Sequence, residues 1–404
     1  MKKNGIQGYL FTLPVIMLIA VFSLWPILQS FVYTFFDYKL NDQQKSGLYI
    51  SERFNFDMFQ ESQMYVKLFL EEDRPSITDV SDQNKVDQLI QRIETVENEF
   101  IGKKGVQKIN GTEKEKILSL YDEINATVSD LTQKYQLPNG ENLTLIMQDL
   151  KNSIIPSNFI GLKGYKEILS DKRMGTALIN TIIFTIISVF FEFILGLLLA
   201  LIMNKAISGQ GLIRTTSLIP WAIPTAVAAL MWGYLYDGSS GIVANFFQNI
   251  GLVDDSRELL LSISGAMFST ILADVWKTTP YMALLLLAGL QNIPLSLYEA
   301  SSIDGANKIQ TFFRITLPLL KPSILVALLF RTLDAFRVFD LIYVLTGGGP
   351  GGGTETLSIY GYKVMFAQTN FGYGSVIVMV MFVIVAIIAT IYVKVLGTNL
   401  MEKN

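Results

Sequence analysis

The chain has 404 residues, half of them hydrophobic, a net charge of −3, and neither cysteine nor histidine. Missing cysteine excludes disulfides, thiolate nucleophiles and cysteine metal sites, and missing histidine removes the commonest general base and metal ligand. The charge gives no reason to expect nucleic-acid binding, and the long uncharged apolar runs suit a membrane rather than a soluble domain.

Crossing a bilayer core takes about 20 apolar residues in helix. The first such run covers about 8–36. Lys2 and Lys3 precede it as in a signal peptide, but the run is too long for a signal core and no A-x-A site follows. An uncleaved span is expected.

A polar insert follows, residues 38–158. Phe54, Phe56 and Met58 alternate briefly like a strand. Val86, Leu89, Ile90, Ile93, Val96 and Phe100 recur at helical spacing. Thr112 and Glu115 form a capping-box pair ahead of Ile117, Leu120, Ile124, Val128 and Leu131. The pattern predicts a helical hairpin. A plain cap and a docking surface for a delivery protein both fit it.

Five more apolar runs cover about 177–203, 212–235, 264–290, 323–345 and 375–396. Pro220 and Pro224 break the third span. Lys205, Arg214, Lys308, Arg314, Lys321, Lys394 and Lys403 fall with Lys2 and Lys3 on one side of the six spans. Asp237, Asp254, Asp255 and Glu258 fall on the other. The positive-inside rule then puts both termini in the cytoplasm and the insert outside.

Charges inside spans cost several kcal/mol unless paired or hydrated. Asp274 and Lys277 in the fourth span are spaced i, i+3, with Trp276 and Tyr281 beside them. Arg331, Asp334, Arg337 and Asp340 follow three apart in the fifth, with Asp334 near the bilayer centre by residue count. Ion pairs that lock helices together are expected for most of these charges. The alternative is a polar lining for a sugar path, with Trp276, Tyr281 and Tyr343 supplying aromatic faces.

The connection 292–322 is cytoplasmic but is not built as a flexible linker. Glu299 through Ile303 starts a helix, and Gly305 bends it. Ile309, Phe312, Phe313 and Ile315 form an apolar edge, and Leu317-Pro318 stops the pattern. Apolar groups there must fold back or dock into another protein.

The spacing Glu299-Ala300-Ser301, three residues, Gly305, nine residues, Ile315, Thr316, Leu317-Pro318 resembles the EAA loop of ATP-binding-cassette importer permeases. Ser301 replaces the second alanine. The stretches 217–237, 273–291 and 331–350 are similar to the maltose and multiple-sugar branch, in the half of the pair that bears a TGGGP sequence. The insert has no such resemblance.

The resemblance implies an all-α membrane protein with six transmembrane helices, a cytoplasmic coupling helix and a mainly helical extracytoplasmic insert. Its parts are 1–37 with the first helix, the insert 38–158, and a permease core 159–404. It implies a non-catalytic subunit in the bacterial cytoplasmic membrane. The expected partners are a second homologous permease, two cytoplasmic ATPase subunits holding ATP and magnesium, and an extracytoplasmic solute-binding protein. The expected cargo is a disaccharide or short oligosaccharide.

Gly347 to Gly352 matches G-x-G-x-x-G formally, but no strand precedes it. No phosphate-binding loop sequence occurs, so any ATPase lies on another chain. Neither a cofactor nor a metal is expected here. An ion-gradient-driven secondary transporter is the alternative; it would need internal inverted repeats, and none is evident.

Overall fold

The computed structural model describes residues 12–205 and 209–401. Lys2, Lys3 and Lys403 and the start of the first span at Gly8 lie outside the described residues. The chain divides into two compact units, residues 1–164 with 369–373, and residues 165–368 with 374–404.

The first unit begins with α1 (Thr12–Tyr33), an apolar span. The insert follows. The brief alternation at Phe54 gives β1 (Arg53–Asn55), which pairs antiparallel with β2 (Val106–Lys108) and β3 (Ile154–Ile155). Asn55 then caps α2 (Phe56–Asp73) by accepting from Met58 N. α3 (Val80–Glu99), α4 (Gly111–Lys134) and α5 (Gly140–Asn152) complete a helical domain. Its core unites Phe54, Phe56, Leu89, Ile93, Ile124 and Leu143, so the spacing read from the sequence lies on the buried faces. The helical hairpin is real but is enlarged by α2 and a small sheet. The capping box sits two residues earlier than expected. Asn110 accepts from Glu113 N at 2.8 Å, and Glu113 Oε2 accepts from Asn110 N at 3.2 Å. Asparagine outranks threonine at this position.

In the second unit α6 (Lys172–Asn204) lies along α9 (Ile263–Gln291). Their approach needs a glycine: a Cβ on Gly196 would stand 2.7 Å from Met282 Cγ and 3.2 Å from Ala283 N. The third span is α7 (Gln210–Ala222) and α8 (Thr225–Leu235), bent by 88°. Neither half reaches across a hydrocarbon core of about 30 Å at about 1.5 Å per residue. The chain therefore has five helices long and apolar enough to span among the described residues, or six with the bent pair counted once.

Next come α10 (Leu295–Ile303) and α11 (Lys308–Phe336). Leu317-Pro318 does not stop α11. A π turn at Phe312–Thr316 precedes it, with Leu317 N donating to Phe312 O, and the helix runs on through Pro322. At the other end α11 stops at Phe336, and α12 (Asp340–Thr346) starts separately. Arg337 and Asp340 therefore do not continue the row of Arg331 and Asp334 on one helix. Asp334 lies in the last turn of α11. α13 (Leu357–Tyr362) and the apolar α14 (Phe371–Met401) end the fold.

Candidate functional site: a buried charge cluster and an exposed loop

Three helices of the second unit meet at Arg331, which is 1 % exposed. A guanidinium presents several donors in a fixed fork, so one arginine can serve carboxylates from several helices. Arg331 Nη2 donates to Glu192 Oε1 at 2.8 Å, and Nη1 donates to Asp334 Oδ2 at 3.0 Å. Arg331 also donates from Nε to Glu192 Oε2 and from Nη2 to Asp274 Oδ2. Thr278 Oγ1 lies 2.7 Å from Glu192 Oε1 and 2.6 Å from the Asp274 carbonyl. α6, α9 and α11 are thus tied together where unpaired charge would be costly.

Glu192 was not among the residues singled out from the sequence. The signal was there: it is the one acid inside the apolar run of α6, and it is fully buried.

Lys277 does not pair with Asp274 as the i, i+3 spacing suggested. Its Nζ donates to the carbonyls of Ile223 at 2.8 Å and Trp221 at 3.3 Å. These carbonyls flank the bend between α7 and α8, where the helical ladder is interrupted and Pro224 has no N–H. A carbonyl freed in this way inside a membrane must find a donor, and the lysine provides one.

A polar cleft of about 180 Å³ opens beside the cluster. Asp274, Lys277, Arg331, Asp334, Arg337 and Asp340 all line it, so six of the expected charges converge. The expected aromatics do not line it. Trp276 stands edge-on to Trp232 at 5.5 Å within an aromatic core. Tyr281 stacks on the half-exposed Trp221 at 5.7 Å. Tyr343 stacks on Phe339 at 5.0 Å, and Phe339 is the aromatic residue that lines the cleft.

The loop between α10 and α11 has a defined shape. Gly305 adopts φ +75°, a region L side chains enter at a cost. It ends α10, and Asn307 with Gln310 caps α11 reciprocally. Ser301 is buried, with its Oγ 2.9 Å from Tyr298 O and 3.3 Å from Thr311 Oγ1. The serine that departs from the EAA pattern thus finds a hydroxyl partner across the turn. Glu299, Ala300 and Pro318 are exposed, Ile315 and Leu317 half-buried. Ile303 and Ile309 are 87 % and 70 % exposed, and Phe313 is exposed beside Phe312.

Span-length apolar helices, one bent pair and charges buried between helices define a helical, multi-pass membrane protein. Residues 192–400 match the family described as binding-protein-dependent transport system inner membrane component. The chain belongs to that family of transport components. It is 47 % identical over 237 residues to the trehalose/maltose transport system permease protein of Thermococcus litoralis, covering 59 % of this chain and 79 % of that one. It is 45 % identical over 263 residues to the trehalose transport system permease protein of Mycobacterium tuberculosis, covering 64 % and 82 %. A crystal structure of a bacterial ABC transporter involved in the import of the acidic polysaccharide alginate shares its fold, with a TM-score of 0.54, 24 % identity, and 59 % and 84 % of the two chains covered.

Proposed function

We propose that this chain is one of two permeases in an ATP-driven importer that carries a disaccharide or short oligosaccharide into the cytoplasm. The observation that carries the ATP-driven reading is the loop Leu295–Thr316. It is a rigid turn that exposes Glu299 together with Ile303, Ile309 and Phe313. An exposed apolar patch of this kind marks a protein or membrane contact, and the charged Glu299 beside it favours a protein. That partner is a cytoplasmic ATPase, one beneath each permease. Both termini then face the cytoplasm and the insert faces out, toward a solute-binding protein.

The proposed cycle rests on differential affinity. ATP closes the paired ATPases, which draws the two coupling loops together. The Glu192–Arg331–Asp274 cluster makes α6, α9 and α11 move as one body. The permeases turn outward, the binding protein releases sugar, and hydrolysis resets them. Asp334 and Arg337, both exposed at the cleft, offer partners to sugar hydroxyls. The sugar class is carried over from the relatives named for trehalose and maltose.

The test is purification of this chain from its own host in detergent. The expected result is co-purification of a second permease and a P-loop ATPase, with hydrolysis stimulated by a sugar-loaded extracytoplasmic protein. Sugar accumulation driven by an ion gradient in vesicles of this chain alone would overturn the reading.

A further inference from the structure

We infer that Phe339, Tyr343, Tyr362 and Phe366 form an aromatic shelf that receives one ring of the transported sugar outside the charged cleft. This rests on the sugar-import reading above. The cleft is about 180 Å³, below the roughly 300–1,000 Å³ of pockets that enclose most of a drug-sized ligand. A disaccharide seated there keeps part of its surface outside the cleft. Phe339 is the link, since it lines the cleft and also touches the shelf. It stacks on Tyr343 with centroids 5.0 Å apart and planes 16° apart, and lies 5.0 Å from Tyr362. Tyr343 meets Tyr362 edge-on at 5.2 Å, and Tyr362 continues to Phe366 at 5.0 Å.

The shelf is assembled from two elements, α12 and the turn from α13 to Ala367, yet it is not buried as a core would be. Tyr343 and Tyr362 are exposed, and Phe366 is 59 % exposed. Two of its four rings carry hydroxyls. A pyranose matches that chemistry, with an apolar C–H face to lay on a ring and hydroxyls at its edge for phenolic oxygens.

The experiment uses the complete transporter with its binding protein in proteoliposomes, offered labelled trehalose, maltose and sucrose. Tyr362→Ala and Tyr343→Ala are compared with Tyr362→Phe. The expected result is an uptake rate lowered about fivefold or more in the alanine variants and lowered much less in the phenylalanine variant, which keeps the ring face and loses only the phenolic oxygen. ATP hydrolysis stimulated by loaded binding protein should stay near the parent level, so that sugar moved per ATP falls. Unchanged uptake in both alanine variants overturns the shelf and leaves the import reading intact. Loss of the second permease from the alanine variants, in step with lost uptake, also overturns it by making the shelf a subunit interface. A parent transporter that accumulates none of the three sugars removes the sugar reading and the shelf together.

Discussion

Arg331 and Glu192 stand 139 positions apart in the chain and meet through two hydrogen bonds in the interior of the second unit. The guanidinium answers three carboxylates, those of Glu192, Asp274 and Asp334. Asp334 is exposed at the cleft, so the fully enclosed part is a triad from three helices. Its hydrogen bonds fix how far each helix can slide or rotate against the other two.

The first prediction concerns that triad. Removing one partner of a buried ion pair strands the other and costs about 3–5 kcal/mol. Arg331→Met should therefore sharply lower the yield and melting temperature of the detergent-solubilised chain. Glu192→Gln should be milder, because its amide still offers an oxygen to Arg331. Combining the two should cost much less than the sum of the single losses, since the groups share one network. Additive losses in the melting experiment would show that Arg331 and Glu192 act independently.

The second prediction follows from Lys277. Lys277→Met keeps the length of the side chain but leaves the Trp221 and Ile223 carbonyls at the bend without this donor. An unsatisfied buried acceptor costs about 1–3 kcal/mol. The variant should melt lower and cut faster with protease near residues 221–225. Lys277→Arg should recover part of the loss because it restores a donor. A melting curve for Lys277→Met that overlays the parent's would show that the bend is held by the prolines alone.

Much of this architecture was legible in the sequence, because apolar runs of span length and paired prolines act locally. The insert's helices were legible for the same reason: Leu89, Ile93 and Ile124 announce buried faces by spacing alone. What stayed hidden depends on tertiary neighbours. Lys277 looked like the partner of Asp274 because i, i+3 is the pairing a lone helix allows. In the fold, a carbonyl 54 residues away outcompetes it. Glu192 has no opposite charge within its own helix turn, so its partner emerges only when α11 packs against α6. The end of α11 was misjudged because apolar residues continue past Phe336. The chain turns at Phe339, whose backbone angles of −136° and −67° no residue type there requires.

The third prediction addresses the coupling role proposed for the loop between α10 and α11. Gly305 sits at φ +75° with open space where a Cβ would go. A substitution there is strained by the backbone and not by crowding, at about 1–2 kcal/mol. Gly305→Val should leave the permease folded, with an unchanged melting temperature to within a few degrees, while the ATPase no longer co-purifies. Glu299→Lys should weaken the same association without affecting the turn, since Glu299 points to solvent. ATPase retention and uptake at parent levels in both variants would end the coupling assignment for this loop.

The fourth prediction is a pH dependence centred on Glu355. Burial pushes its carboxyl toward the neutral form. Hydrogen bonds from Arg173 and Lys363, at 2.7 and 2.9 Å, outweigh burial and hold it below the ordinary glutamate value. A carboxyl whose folded-state pKa is lowered adds stability above its unfolded value of about 4.3, and that stability drains away as pH falls through the folded value. The network also anchors the glycine turn, since Asn180 Nδ2 donates to the carbonyls of Gly352 and Glu355. The melting temperature should therefore be flat from pH 7 to about 5 as far as this group is concerned, then fall on further acidification. Glu355→Gln should melt lower at pH 7, because Arg173 and Lys363 lose their shared anion, and should show a shallower acid limb. If parent and variant lose stability with the same slope below pH 5, protonation of Glu355 does not control the turn, and the acid limb belongs to other carboxylates.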